Sequence, residues 1–196
     1  KASYNYNYSS HLTGLHRLTE SEFKSTGFKL DWSYQAYRNK TFKSNFGVVY
    51  KKDDSHTYTD GTEEDVSRRD TSEISVRYQS TFYFKKSSLD LNLTSAWGVP
   101  WFDAMKDSDV NIKNEPTREY QLTLLDITYS AWTDIAGIPL NWISSFSGQY
   151  TDDILFGVNA FSIGSRYTTR GFGDEFSISA EKGFYLRNEC ANVKRL

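Results

Sequence analysis

The sequence predicts an all-β protein: an antiparallel transmembrane β-barrel of about eight strands, roughly half of a larger barrel, with a long loop that enters the lumen. Three observations carry that prediction. Apolar and polar residues alternate in segment after segment, the connections alternate between short and long, and aromatic side chains stand at or near segment ends. Composition agrees: 16% of the 196 residues are aromatic, with Tyr 14 and Phe 13 but Pro 3, and mean hydropathy is −0.63. Strand-favouring aromatics on a polar average fit sheets with one apolar and one wetted face.

The elements follow in order. "KASYNYNY" already reads as strand, so a first strand is expected near 1–9. In "TGFKLDWSYQAY" Phe28, Leu30, Trp32, Tyr34 and Ala36 alternate with Lys29, Asp31, Ser33 and Gln35, which puts the two sets on opposite faces of a strand near 26–37. After the tight turn "RNK", Phe42, Phe46, Val48 and Tyr50 oppose Lys43, Asn45 and Gly47 near 41–52. Near 72–84, Ile74, Val76, Tyr78, Phe82 and Phe84 oppose Glu73, Ser75, Arg77 and Gln79. Near 88–97, Leu89, Leu91, Leu93 and Trp97 oppose Asp90, Asn92 and Thr94. Residues 117–130 are mixed, with Tyr120, Leu122 and Leu124 on one parity and Leu125, Ile127 and Tyr129 on the other; a bulge near Leu124 would reconcile them. Leu140, Trp142, Phe146 and Tyr150 alternate with Asn141, Ser145, Ser147 and Gln149 near 138–151, and a last strand is expected near 182–193.

Short turns at 38–40, 85–88 and about 131–138 alternate with long polar links at 9–25, 52–71, 98–117 and about 151–182. A soluble sandwich or lipocalin-like barrel has no reason to keep that rhythm, whereas an outer-membrane barrel keeps short turns at one end and long loops at the other. Trp32, Tyr34, Tyr50, Trp97, Trp101, Trp132, Trp142 and Tyr150 would form its aromatic girdles. The polar faces are rich in Lys, Asp, Glu, Arg and Gln. Closing them into a narrow dry core would be costly, so a wide water-filled barrel, of which this is part, is preferred to a complete small one.

Other chemistry finds little purchase. A net charge of −2 gives no general pull toward nucleic acid or anionic lipid. The lone Cys190 closes no internal disulfide. No run approaches the ~18 apolar residues of a spanning helix and no signal segment opens the chain, so the N-terminus is expected to begin inside a domain. His11, His16 and His56 fall in expected outer loops without metal or catalytic spacing. The acidic group Asp53, Asp54, Asp60, Glu63, Glu64 and Asp65 lacks calcium-loop order and reads as a solvated loop. No enzyme activity, cofactor, metal or small-molecule substrate is expected, and a passive porin or siderophore-type channel is the main rival.

One stretch breaks the strand rhythm. "FSIGSRYTTRGFGDEF" at 161–176 sets Arg170, Gly171 and Phe172 at its centre: a fork of donors, a permissive backbone and an aromatic anchor. A bidentate arginine is worth most where water is partly excluded, which suggests a loop folded back into the lumen. With "GFYLRNE" after it and "WGVPWFDA" at 97–104, this stretch resembles the two-partner secretion transporters, the haemolysin secretion/activation proteins of Gram-negative outer membranes.

The resemblance implies a barrel of about sixteen strands, preceded by a plug helix and periplasmic POTRA domains, that exports a large unfolded exoprotein such as a haemolysin, adhesin or contact-dependent toxin without ATP. Residues 1–196 would then be part of one barrel domain in the bacterial outer membrane, about the fifth to the twelfth strand, a truncated form with POTRA domains, plug helix and last strands absent. The expected partners are the exoprotein and outer-membrane lipid. The resemblance further implies that Arg170 pairs with an aspartate on a strand downstream of "LRNE", with Gly164, Arg166 and Thr169 supporting the loop; Thr169 stands where a valine is commoner. Lys29, Asp31, Lys43, Asn45, Arg77, Asp90, Asn92 and Gln149 would line the hydrated conduit.

Overall fold

A computed structural model describes residues 1–13, 19–63, 69–107, 115–135, 137–164, 168 and 177–192. Eight long strands make up its main sheet: β1 (Ala2–Thr13), β2 (Thr19–Arg38), β3 (Phe42–Thr59), β5 (Arg69–Tyr83), β6 (Ser87–Gly98), β7 (Gln121–Ile135), β8 (Ile138–Tyr150) and β11 (Gly183–Asn192). A short β4 (Thr62–Glu63) folds back on the end of β3. The pair β9 (Phe161–Ile163) and β10 (Ile178–Ala180) forms a separate small ladder. The order is β1-β2-β3-β5-β6-β7-β8-β11, antiparallel throughout. Among the described residues β1 and β11 are edges that do not meet, so the sheet is open.

The register separates two faces. One row runs Ser33, Gly47, Arg77, Thr94, Leu124, Gln149, Gly183 across seven strands. The next runs Tyr34, Phe46, Tyr78, Leu93, Leu125, Gly148, Phe184. The second face leaves its large side chains bare, with Trp32 59% and Phe184 69% exposed, whereas the buried apolar residues are few and include Ala96, Tyr120, Leu122 and Leu155. A sheet that leaves its apolar face this bare has lipid, not water, as its solvent.

The height of the apolar band can be read on β3. Phe42, Phe46, Val48 and Tyr50 give way on the same face to Lys52, Asp54 and His56. The apolar stretch is ~27 Å along the strand, or about 20 Å once tilted by ~40°, close to the ~25 Å band of outer-membrane barrels. The break is level across three strands, since Asp54 is paired with Thr26 on β2 and Asp70 on β5.

Above the band the ladder continues, with Lys24 opposite His56 and Ser21 opposite Thr59. Most of the long links expected at 9–25 and 52–71 are thus strand, and His11, His56, Asp53 and Asp54 are strand residues. His16, Glu64 and Asp65 lie outside the described residues. Once both faces are wet, alternation vanishes from the sequence although backbone pairing persists.

The bulge is not at Leu124. Pairings through β7 run unbroken on both sides, Thr94 and Gln149 flanking Leu124 and Leu93 and Gly148 flanking Leu125. Leu122 and Leu124 instead face the polar side because an apolar cluster of Ala96, Tyr120, Leu122 and Leu155 sits there. The register slips between Gln35 and Tyr37, which returns Tyr37 to the apolar face with its ring 6.0 Å from Phe42. Two girdle expectations also change: Trp132, opposite Asn141, lies on the polar face, and Trp32, opposite Val48, lies within the band.

The short turns are held by side chains that mimic backbone acceptors. Asn39 Oδ1 accepts from Thr41 N at 2.8 Å and Phe42 N at 2.6 Å, and Asp134 Oδ1 accepts from Gly137 N at 2.8 Å.

Candidate functional site

The polar face gathers all eight expected lining residues on one side of the sheet. Lys29 lies opposite Lys51 and Asp31 opposite Val49 on β3; Lys43 and Asn45 lie opposite Thr81 and Gln79 on β5. Asp90 and Asn92 lie opposite Thr128 and Asp126 on β7. Arg77 reaches across β3 to Asp31, Nη2 to Oδ1 3.3 Å. That reach needs Gly47 between them, where an added Cβ would stand 3.3 Å from the guanidinium.

Near the 84–86 turn Thr81 Oγ1 donates to Asp90 at 2.6 Å, and further along the wall Asn92 Nδ2 (3.3 Å) and Ser147 Oγ (2.6 Å) both donate to Asp126. A 280 Å³ cavity lies between these groups, and a 510 Å³ cavity lies near the long-loop end beside Asp53, Arg69, Glu73, Arg118 and Phe156.

The segment after β8 turns onto this polar face. Thr151 Oγ1 donates to Gln121 O at 2.6 Å, Gln121 N donates to Asp153 Oδ2 at 2.7 Å, and Thr117 N donates to Ile154 O at 2.9 Å. Leu155, 5% exposed, enters the cluster of Ala96, Tyr120 and Leu122. Phe156 lies beneath two guanidinium groups, Arg118 at 5.3 Å and Arg69 at 5.9 Å from its ring. Such stacking is attractive because the cations meet the negative ring face.

Gln149 closes the neck of the loop. Its Nε2 donates to Asn159 O and to Glu181 O, both at 2.9 Å, so one side chain ties the outgoing and returning arms to the wall. It is buried beneath the loop rather than open to the lumen. The arms also pair with each other, Phe161 opposite Ala180 and Ile163 opposite Ile178, and Phe161 lies 6.0 Å from Tyr185 on β11. Beyond the neck, Gly164 has φ 124° and donates its N–H to Thr168 Oγ1 at 3.0 Å. Arg166, Thr169, Arg170, Gly171 and Phe172 lie outside the described residues.

Several anchors carry no motif. Tyr120 OH donates to Glu73 Oε2 at 2.6 Å; burial, and then the Glu73 carboxylate, push its phenol pKa upward. Asp107 accepts from Arg118 N at 2.7 Å, Glu119 N at 3.2 Å and the Thr117 hydroxyl. Burial alone would raise this carboxyl, but those hydrogen bonds outweigh it and hold the pKa below the ordinary 3.8. The Asp107 clasp is therefore complete above that value and is lost only as pH falls through the lowered one. Asp107→Asn is expected to remove ~1.5–3 kcal/mol of charge-assisted bonding and to speed tryptic cleavage at Lys106 and Arg118 in the folded full-length protein; an unchanged cleavage rate would refute the clasp. The apolar run "ILFGV" at 154–158, isolated in a polar link, was the available signal for the docked root.

The family model described as "Haemolysin secretion/activation protein ShlB/FhaC/HecB" matches residues 2–194. This chain belongs to that family. Within the haemolysin secretion/activation family, it is similar to the outer membrane transporter CdiB-2 of Burkholderia pseudomallei (strain 1026b), 27% identical over 172 residues that cover 88% of this chain and 29% of the relative. The hemolysin transporter protein HpmB of Proteus mirabilis is 25% identical over 176 residues, 87% of this chain and 30% of the relative. The chain thus spans about a third of the length of the curated relatives it matches.

Among solved structures, CdiB from Escherichia coli superposes with a TM-score of 0.78 at 26% identity, covering 96% of this chain and 35% of that one. CdiB from Acinetobacter baumannii shares the fold with a TM-score of 0.81 at 21% identity, covering 100% and 34%. The open sheet is accordingly a segment of a larger family barrel, with its polar face lumenal and its apolar face toward lipid.

Proposed function

We propose that this chain forms the central wall of an outer-membrane pore that passes a large unfolded exoprotein to the cell surface in two-partner secretion. The observation that carries this reading is the loop root pinned across the polar face by Gln149, Leu155 and Phe156. A passive porin needs rings of lumen charge at a constriction; a tethered loop obstructing a wide polar lumen suits a conduit that must stay closed until its cargo arrives. Lys29, Asp31, Lys43, Asn45, Arg77, Asp90 and Asn92 would hydrate an extended polypeptide, and Arg170 and Phe172 would hold the loop tip. Residues 1–196 act as part of one barrel domain, and the pore transfers its cargo without catalysis, cofactor or small-molecule substrate.

A stalled exoprotein tests this directly. In a cysteine-free full-length background, Asn45→Cys and Asn92→Cys are expected to crosslink to a stalled exoprotein several-fold more than Phe46→Cys and Leu91→Cys, their neighbours on the lipid face. Equal or absent crosslinking at all four positions, together with free passage of small solutes, would favour a porin-like channel.

A further inference from the structure

β6 does not end cleanly at Gly98. Its ladder with β5 continues as Val99 N donates to Ser72 O at 2.9 Å. The next bond to β5 is Met105 N to Asp70 O, also 2.9 Å. By the register that pairs Glu73 with Gly98, residue 101 should stand opposite Asp70, so four extra residues are looped out of the wall between these two anchors. They go outward, because the rings they carry meet Tyr50 on the apolar face: Trp101 at 6.5 Å and Phe102 at 5.5 Å.

The excursion is tied down in an unusual backbone. Phe102 and Asp103 have φ 53° and 61°, a left-handed conformation that a bulky Phe avoids unless its surroundings impose it. Ala104 N donates to Trp101 O at 3.2 Å, and Lys52 Nζ donates to Phe102 O at 2.6 Å. Phe102 is nevertheless 70% and Trp101 48% exposed, so the strain does not serve to bury them in protein. The height is telling: on this face of β3 the unbroken apolar stretch stops at Tyr50, and Lys52 is the first charged residue.

We propose that Pro100–Ala104 is an interfacial strap that seats Trp101 and Phe102 in the headgroup-to-acyl boundary of the outer-leaflet lipid. The surface continues the lipid-facing band without a step, which selects lipid as its occupant, and aromatic side chains favour that depth. The Lys52 ammonium ties the strap's backbone to β3 at the level of the headgroups. Tyr50, held by a 2.7 Å bond from Ser72 Oγ, forms the floor on which both rings rest. The proposal rests on the reading of the apolar face as lipid-facing.

The test uses the full-length protein, otherwise free of cysteine, in phosphatidylcholine vesicles brominated either near the headgroup or near the bilayer centre. A bimane label at Phe102→Cys is expected to lose about half of its emission to the shallow bromines and much less to the deep ones. Trp101→Cys should repeat that pattern, guarding against a label that lifts one residue away. Phe46→Cys should respond most to the deep bromines, and Asp60→Cys, at the tip beyond β3, to neither. Labels at 101 and 102 that behave like the one at 60 would overturn the strap while leaving the barrel reading intact. An unquenched label at 46 would overturn both.

Discussion

Arg170→Ala in the full-length protein is expected to cut exoprotein release by about tenfold to a hundredfold, equivalent to the ~1.5–3 kcal/mol of the charge-assisted hydrogen bonds that the proposed pairing with an aspartate would supply. The root of the loop is held independently of this residue, by the Gln149 bonds, by Leu155 among Ala96, Tyr120 and Leu122, and by the pairing of β9 with β10. On the proposed function, Arg170 is the residue that holds the loop tip. Barrel insertion, followed as heat-modifiable mobility, should therefore stay at the parental level while release falls. Arg170→Lys should recover only part of the loss, since an ammonium offers a point charge where a fork is needed. Parental release by Arg170→Ala would remove the loop tip from the mechanism.

Gly98→Ala is expected to act on the fold. Gly98 N donates to Tyr120 O at 2.9 Å, and a Cβ added there would run into the carbonyl oxygen of Arg118 and stand 3.0 Å from Tyr120 Cδ1. Neither obstacle is the free end of a flexible side chain, so the backbone at 118–120 has to move. That shift would loosen the Tyr120 bond to Glu73, the Asp107 clasp on Arg118 and Glu119, and the socket for Leu155. Overpacking of this kind costs ~1–3 kcal/mol or more. The measurable result is less heat-modifiable barrel in the membrane and faster proteolysis of the 99–120 link; normal insertion and release would show that the link is more pliant than its contacts suggest.

The strand pattern was legible wherever one face met lipid and the other water. Phe28 to Tyr34, Phe42 to Tyr50 and Leu89 to Trp97 alternate because each face has one solvent, and those strands were found. The upper ends of β2 and β3 were not, since Lys24, Glu22, Asp54 and His56 are polar on a face that has risen above the band. Leu122 and Leu124 misled in the opposite direction: their apolar character serves a lumenal cluster built from a distant segment, which no local periodicity encodes. Gln149 was expected to line the conduit, whereas it is buried beneath the loop, because its hold on Asn159 and Glu181 depends on where the chain returns. The outward strap was readable only as "WGVPWFDA", because the register offset between Val99 and Met105 belongs to the pairing with β5 and not to the residues themselves.

The neck of the inward loop also bears on the order of assembly. Each long strand pairs with the long strand that precedes it in the chain, most of them across shorter links, whereas β11 returns to β8 only after residues 151–182. Closing so long a segment in one step carries more entropy than closing a hairpin, growing with the logarithm of its length. Docking Leu155 and Phe156 on strands already in place, then pairing β9 with β10, divides that closure into short ones and delivers Glu181 to Gln149, two residues before Gly183 takes its place opposite the same Gln149. The contacts that seat the loop root on the polar face would therefore also serve as a guide rail for β11.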